Sequence, residues 1–186
     1  MKATGIVRRI DELGRVVIPK EIRRTMKIRE GEPLEIFVDR NGEVILKKYS
    51  PIGELSEFAQ EYADSLAEVT NYVACVLDKD AVVAVAGAPR KEYLEKPLSA
   101  AARKVMETGE TTIINEPGAH AFCEGCKAET EDCKFSSTVL APITLSDGQV
   151  VGLVVLSSKD PDTKMGELEV KLANTAAGFL AKQMES

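Results

Sequence analysis

Short apolar runs broken by polar turns open the chain. Ile6, Val7 and Ile10 are β-formers and predict a strand over residues 4–10, broken at Glu12-Leu13-Gly14, where Gly14 can take a positive φ. Residues 15–18 predict a second short strand. Pro19 ends it and can open a helix, because a first-turn residue has no use for its N–H. Residues 20–27 then predict a short helix, with Ile22 and Met26 four apart on one face and Arg23, Arg24 and Lys27 largely off that stripe. Leu34, Ile36 and Val38 alternate with Glu35, Phe37 and Asp39. Asn41-Gly42 suits a two-residue turn, and residues 43–49 return through Val44, Ile45 and Leu46. The head thus reads as four short strands and one short helix.

Ser50-Pro51 marks a boundary: Pro51 stops strand pairing and Ser50 can cap a following helix. Ile52, Leu55, Ala59, Tyr62, Leu66 and Val69 then recur at spacings of 3, 4, 3, 4 and 3. Two readings stay open, a coiled-coil seam that carries pairing from head to body, or an amphipathic helix packed on its own domain. Residues 72–77 and 81–86 are apolar β runs around the polar turn Asp78-Lys79-Asp80. Residues 98–107 fit a helix with Leu98, Ala102, Val105 and Met106 on its apolar side, and residues 111–114 a β segment. A polar, Cys-containing loop over 115–134 precedes a hairpin of residues 138–145 and 149–157 around Ser146-Asp147-Gly148. A closing helix over 165–184 carries Leu168, Leu172, Ala176, Phe179 and Leu180 along one side. This order is α+β with an antiparallel sheet. The expected division is a head over 1–50, a linker helix over 51–70 and a body over 71–186.

Charge sharpens the division. Residues 2–29 hold nine Lys/Arg against Asp11, Glu12 and Glu21, a net of +6, whereas the whole 186-residue chain is −6. A basic head on an acidic body points the head at a polyanion. Free-standing arginines neutralise phosphates and release counterions, and can bind guanine bidentately. A head of this size is small for an independent core and contains no cysteine, which leaves oligomerisation as its stabilising device. No apolar run reaches the roughly 18 residues of a membrane helix, and the N-terminus lacks a signal-peptide core, so a cytoplasmic protein with reduced thiols is expected.

The stretch TGIVRRIDELGRVVIPKEIRR resembles the swapped-hairpin DNA-binding domain of the AbrB family of bacterial transition-state regulators, with ELGRVVIPKEIRR its specific core. The resemblance runs over about residues 2–49. The elements that follow look like a GAF domain, a small-molecule sensor fold, and the whole arrangement is similar to late-sporulation regulators of endospore-forming bacteria. The resemblance implies two chains interleaving hairpins into one obligate β-barrel dimer, followed by a GAF-like α/β sandwich that pairs dimers into a tetramer. It implies a nucleoid-associated regulator, activator and repressor, on loosely defined A/T-rich double-stranded DNA read partly by shape. Arg8, Arg15, Arg23 and Arg24 are the implied contact residues, with Lys2 and Arg9 supporting. Swapped-hairpin heads also occur in antitoxins, whose disordered tails wrap a toxin; the apolar remainder of this chain argues against that reading.

One constellation lies outside the resemblance. His120, Cys123, Cys126 and Cys133 stand in one loop as H-x2-C-x2-C-x6-C. Three thiolates and one imidazole suit tetrahedral Zn²⁺. An Fe–S cluster or a thiol redox switch would use the same atoms, and reduced loop cysteines without such a role are the remaining reading. Cys75, inside a strand, is expected in the core. A sensing body would need a cavity lined from Val73, Val83, Val85, Leu140 and Val154, whereas a purely structural pairing body would need none. No nucleophile–base pair is visible beyond the Cys/His loop, so no enzymatic activity is expected.

Overall fold

The structure, a computed structural model, describes residues 5–50, 52, 55–116 and 135–185. Its contacts divide the chain into two units, Met1–Tyr49 and Ser50–Ser186.

In the head, Pro19 (φ −58°) opens helix α1, Lys20–Thr25. Strands β1, Leu34–Val38, and β2, Val44–Lys48, pair antiparallel, with Leu34 opposite Lys48 and Val38 opposite Val44. The connection is wider than the expected two-residue turn. Asp39 N donates to Glu43 O at 3.1 Å, so residues 40–42 form a three-residue loop ending on Gly42 at φ +80°. The Asp39 carboxylate accepts from the N–H groups of Asn41 and Glu43 at 2.9 and 2.8 Å and fixes that loop. The strands expected over 4–10 and 15–18 are not formed among the described residues. A strand exists only as a paired ladder; at the turn the two segments share, Asp11 N donates to Arg15 O at 3.0 Å.

The second unit is an antiparallel sheet covered on both faces. Its elements are α2 (Ser56–Thr70), β3 (Val73–Leu77), β4 (Val82–Ala86), α3 (Arg90–Tyr93) and α4 (Ala100–Thr108). They continue with β5 (Thr112–Ile114), β6 (Ser137–Thr144), β7 (Val150–Ser158) and α5 (Glu167–Met184). The strand order is β4-β3-β7-β6-β5. The pleat sends Ala74, Val76, Val139, Ala141, Val154 and Leu156 into one cluster with Ala59, Ala63 and Leu66 of α2 and Ala173, Ala177 and Leu180 of α5. The alanines let both helices lie close on the sheet. The opposite face gathers Val73, Cys75, Leu77, Val85, Leu140 and Leu153 under Leu98, Ala102 and Val105. Ser99 caps α4 by accepting from Ala102 N at 3.2 Å.

One expectation is corrected by the packing. Helix α2, expected as a linker, is part of the second unit and covers β3 and β4 with its Ala59–Ala63–Leu66 stripe. Ser50 donates its hydroxyl to Asp78 Oδ2 at 2.9 Å.

Candidate functional site

The head's basic side chains are presented from one organised turn and one helix. Asp11 organises the turn. Its Oδ1 accepts from Leu13 N at 3.0 Å and Arg15 N at 2.8 Å, and its Oδ2 accepts from Arg15 Nε at 2.8 Å. Gly14, at φ +75°, donates its N–H to Asp11 O at 2.9 Å and lets the chain reverse. The Arg15 backbone N–H and then its guanidinium hold the Asp11 carboxyl below the usual carboxylate range. The Arg15 side chain remains 69% exposed, so the guanidinium is both oriented and available.

Arg8, Arg9 and Arg24 are exposed. Arg8 Nη1 donates to the carbonyl of Val7 at 3.4 Å. Arg23 differs: it is half-buried on α1, and its Nε is buried without a hydrogen-bond partner among the described residues. Such a donor is costly to leave unmade. Lys2 lies outside the described residues. The same unit leaves Val7, Val17, Val38 and Val44 more than half exposed, with Val7 at 84%.

In the body, a cavity of about 250 Å³ lies between the sheet and the segment 93–102. Of the five residues expected to line it, Leu140 does. Val73 and Val85 belong to the same face without reaching the cavity, and Val83 and Val154 point to the α2–α5 face. The period of two decides this: Leu140 and Val154 lie one register step apart across β6 and β7, on opposite sides of the sheet. Sequence reasoning missed Lys96, Ser99, Thr138 and Ser157 at this cavity. The pleat could have supplied Thr138 and Ser157, which are register partners and share a face with Leu140 and Val155. Cys75 is buried as expected, and burial pushes its thiol up to about 12, so it is an inert thiol. His120, Cys123, Cys126 and Cys133 lie outside the described residues.

Comparison with known proteins joins these two units. The family model described as "Stage V sporulation protein T C-terminal, transcription factor" matches residues 54–185. Stage V sporulation protein T of Bacillus subtilis (strain 168) is 51% identical over 185 residues, spanning 100% of this chain and 99% of its own. The chain belongs to the stage V sporulation protein T family of transcription factors.

Within that family assignment the head is AbrB-like. It is 65% identical over 51 residues to the transition state regulatory protein AbrB of Bacillus subtilis (strain 168), covering 27% of this chain and 52% of that protein. A model described as "Antidote-toxin recognition MazE, bacterial antitoxin" also matches residues 7–54. The body has the GAF fold. The GAF domain of an Acinetobacter phosphoenolpyruvate-protein phosphotransferase superposes with a TM-score of 0.55 at 14% identity, over 70% of this chain and 82% of that one. Among the described residues no helix is long and apolar enough to cross a membrane.

Proposed function

We propose that this transcription factor grips A/T-rich double-stranded DNA with Arg8, Arg15, Arg23 and Arg24 of a head dimer, supported by Lys2 and Arg9. The observation that carries the reading is Arg15, locked at its backbone and its Nε by Asp11 yet largely exposed, in a head with the AbrB-like sequence. A charge oriented in advance costs less to bring to a phosphate or a guanine edge. The exposed valines of the head support an intertwined dimer, because a 49-residue unit with that much apolar surface in water lacks a core of its own. The bodies then pair dimers into a tetramer through the outer faces of α2 and α5. In the cell this is a cytoplasmic, nucleoid-associated regulator that activates and represses late sporulation genes.

Fluorescence anisotropy on A/T-rich duplex DNA tests the assignment. Arg15→Ala and Arg23→Ala should each weaken binding, with the salt slope reduced by about 1 per lost phosphate contact. Unchanged affinity and slope in both variants at matched salt would sink it.

The antitoxin model's match to the head favours a second reading, a module that binds a toxin. A disordered C-terminal tail is what that function needs, whereas residues 55–116 and 135–185 pack into a two-faced sheet domain. Limited proteolysis separates the two: a resistant fragment over about 70–186 supports the regulator, and rapid digestion of that region the antitoxin.

A further inference from the structure

We propose that the body cavity binds a small apolar monocarboxylate, its hydrocarbon part inside and its carboxylate on Lys96. The inference goes beyond the DNA-binding reading and does not rest on it.

Protein interiors are close-packed, with few voids larger than a water molecule. A space of about 250 Å³ beside Leu77, Ile114, Phe135, Leu140 and Val155 therefore stands out from the core around it. At about the 30 Å³ that a water occupies in the liquid, it has room for on the order of eight heavy atoms. That matches a six-carbon acid.

The polar groups narrow the chemistry. Thr138 Oγ1 and Ser157 Oγ bond each other at 3.1 Å. Ser99 Oγ accepts from Ala102 N at the α4 cap. Among the described residues, Lys96 is the one charged residue of the lining and no carboxylate lines the cavity. Lys96 takes part in none of the ion pairs among the described residues. An anion would therefore find its counter-charge here, whereas the ammonium group of a free amino acid would find none.

The backbone holds Lys96 in place at a cost. Its neighbour Glu95 sits at φ +61°, a left-handed conformation that a non-glycine residue adopts against its preference. Three backbone bonds impose it. Glu95 N donates to Val82 O at 2.9 Å, Val82 N to Lys96 O at 3.0 Å, and Lys96 N to Tyr93 O at 3.1 Å. Pro97 continues the segment as a bridge partner of Ala81. Strain of this kind is tolerated where a particular residue must be presented, and the residue presented here is the cation of the cavity.

Isothermal titration calorimetry on the full chain tests this with three probes that differ in one group each: hexanoate, 1-hexanol and norleucine (2-aminohexanoate). Hexanoate should bind once per chain, at least tenfold more tightly than either of the others. Lys96→Met, an exposed-residue change, should bring hexanoate down to the affinity of 1-hexanol and leave 1-hexanol unchanged. Val155→Phe should fill the cavity and abolish binding of both. Should that variant fail to fold, Lys96→Met carries the test alone. Absence of hexanoate binding at millimolar concentration overturns the proposal. So does equal binding of hexanoate and 1-hexanol, or a Lys96→Met variant that binds hexanoate as the parent does. DNA affinity of ligand-free Lys96→Met, measured in parallel, should equal the parent's; a loss there would belong to the DNA-binding reading.

Discussion

Gln60 pairs with Val85 as a neighbouring strand would. Its Oε1 accepts from Val85 N at 3.3 Å and its Nε2 donates to Val85 O at 3.0 Å. β4 is the edge of the sheet, so those two backbone groups face away from β3 and would otherwise be open. Arg90 Nη2 donates to the same Oε1 at 2.9 Å, and Nε2 also donates to Asp64 Oδ1 at 2.9 Å, which hold the amide in plane. Gln60→Ala should lower stability by about 1 kcal/mol, near the low end for a lost hydrogen-bonded pair because water can reach the edge. Gln60→Glu should cost at least as much, since its carboxylate faces the Val85 carbonyl and Asp64. Urea midpoints with an unchanged m-value would check both.

Gly152 should tolerate nothing larger. A Cβ there would lie 2.1 Å from Ile52 Cδ1 and 2.2 Å from Leu77 O. Leu77 O is backbone of the paired strand and cannot move without opening β3 from β7, and Ile52, 1% exposed, has close-packed neighbours on all sides. Gly152→Ala should therefore destabilise the second unit by about 3 kcal/mol or more. Thermal unfolding followed by far-UV circular dichroism reads this directly. The exposed Gly148, whose added Cβ meets nothing within 4 Å, provides the contrast: Gly148→Ala should cost only the roughly 1 kcal/mol of its φ of +84°.

Much of this architecture is legible in the residues. Alternation and turn chemistry locate the β1–β2 and β6–β7 hairpins to within a residue or two, and the Ile22–Met26 spacing locates α1. The strands over 4–10 and 15–18 fail for a physical reason. Local β-preference makes a segment extended, but a ladder needs a neighbour that local sequence does not name. The helical seam from Ile52 to Val69 divides for a similar reason. Ala59 and Leu66 turn inward, while Val69 turns out, and alanines weigh too little in an apolar pattern to show which side the sheet would take. At the cavity, Lys96 carries no signal of its own. Its position depends on the left-handed Glu95 and on pairing with β4, both of which are tertiary.

Asp11 should outweigh its own charge. Asp11→Asn adds one positive charge to a DNA-facing head, and simple electrostatics predicts tighter binding. The structure predicts weaker binding, because the carboxylate that fixes Arg15 N, Arg15 Nε and Leu13 N is replaced by a poorer acceptor. Anisotropy at matched salt should show a several-fold loss. The pH dependence has a definite sign. The folded carboxyl titrates below its ordinary 3.8, so its contribution is complete above that value and is lost as pH falls through the lower folded pKa. An NMR titration of the Asp11 carboxyl should thus give a midpoint below 3.8, and the turn should stay intact from pH 8 to 5. A midpoint at or above 3.8 would remove the turn's organising role from Asp11.

The outer faces of α2 and α5 supply the last test. Both helices bury alanine stripes against the sheet, yet Phe58, Val69 and Leu168 point outward at 49%, 79% and 66% exposure. The rings of Tyr62 and Phe179 meet at 5.2 Å between centroids and join the two helices. Phe58, Tyr62 and Val69 recur at spacings of four and seven, so they lie along one side of α2, beside the Ala59–Ala63–Leu66 stripe and about 90° around the helix from it. An apolar stripe of that kind in water is stabilised by a partner surface, and pairing bodies across it would join two head dimers. Val69→Glu places a charge at the most exposed of these positions, far from the domain's own core. Its melting temperature should stay within a degree or two, while light scattering after gel filtration should show mass falling from tetramer to dimer. A tetramer that survives both Val69→Glu and Phe58→Glu would move the body–body contact off this face; a fall to monomer would mean that the heads alone do not hold two chains together.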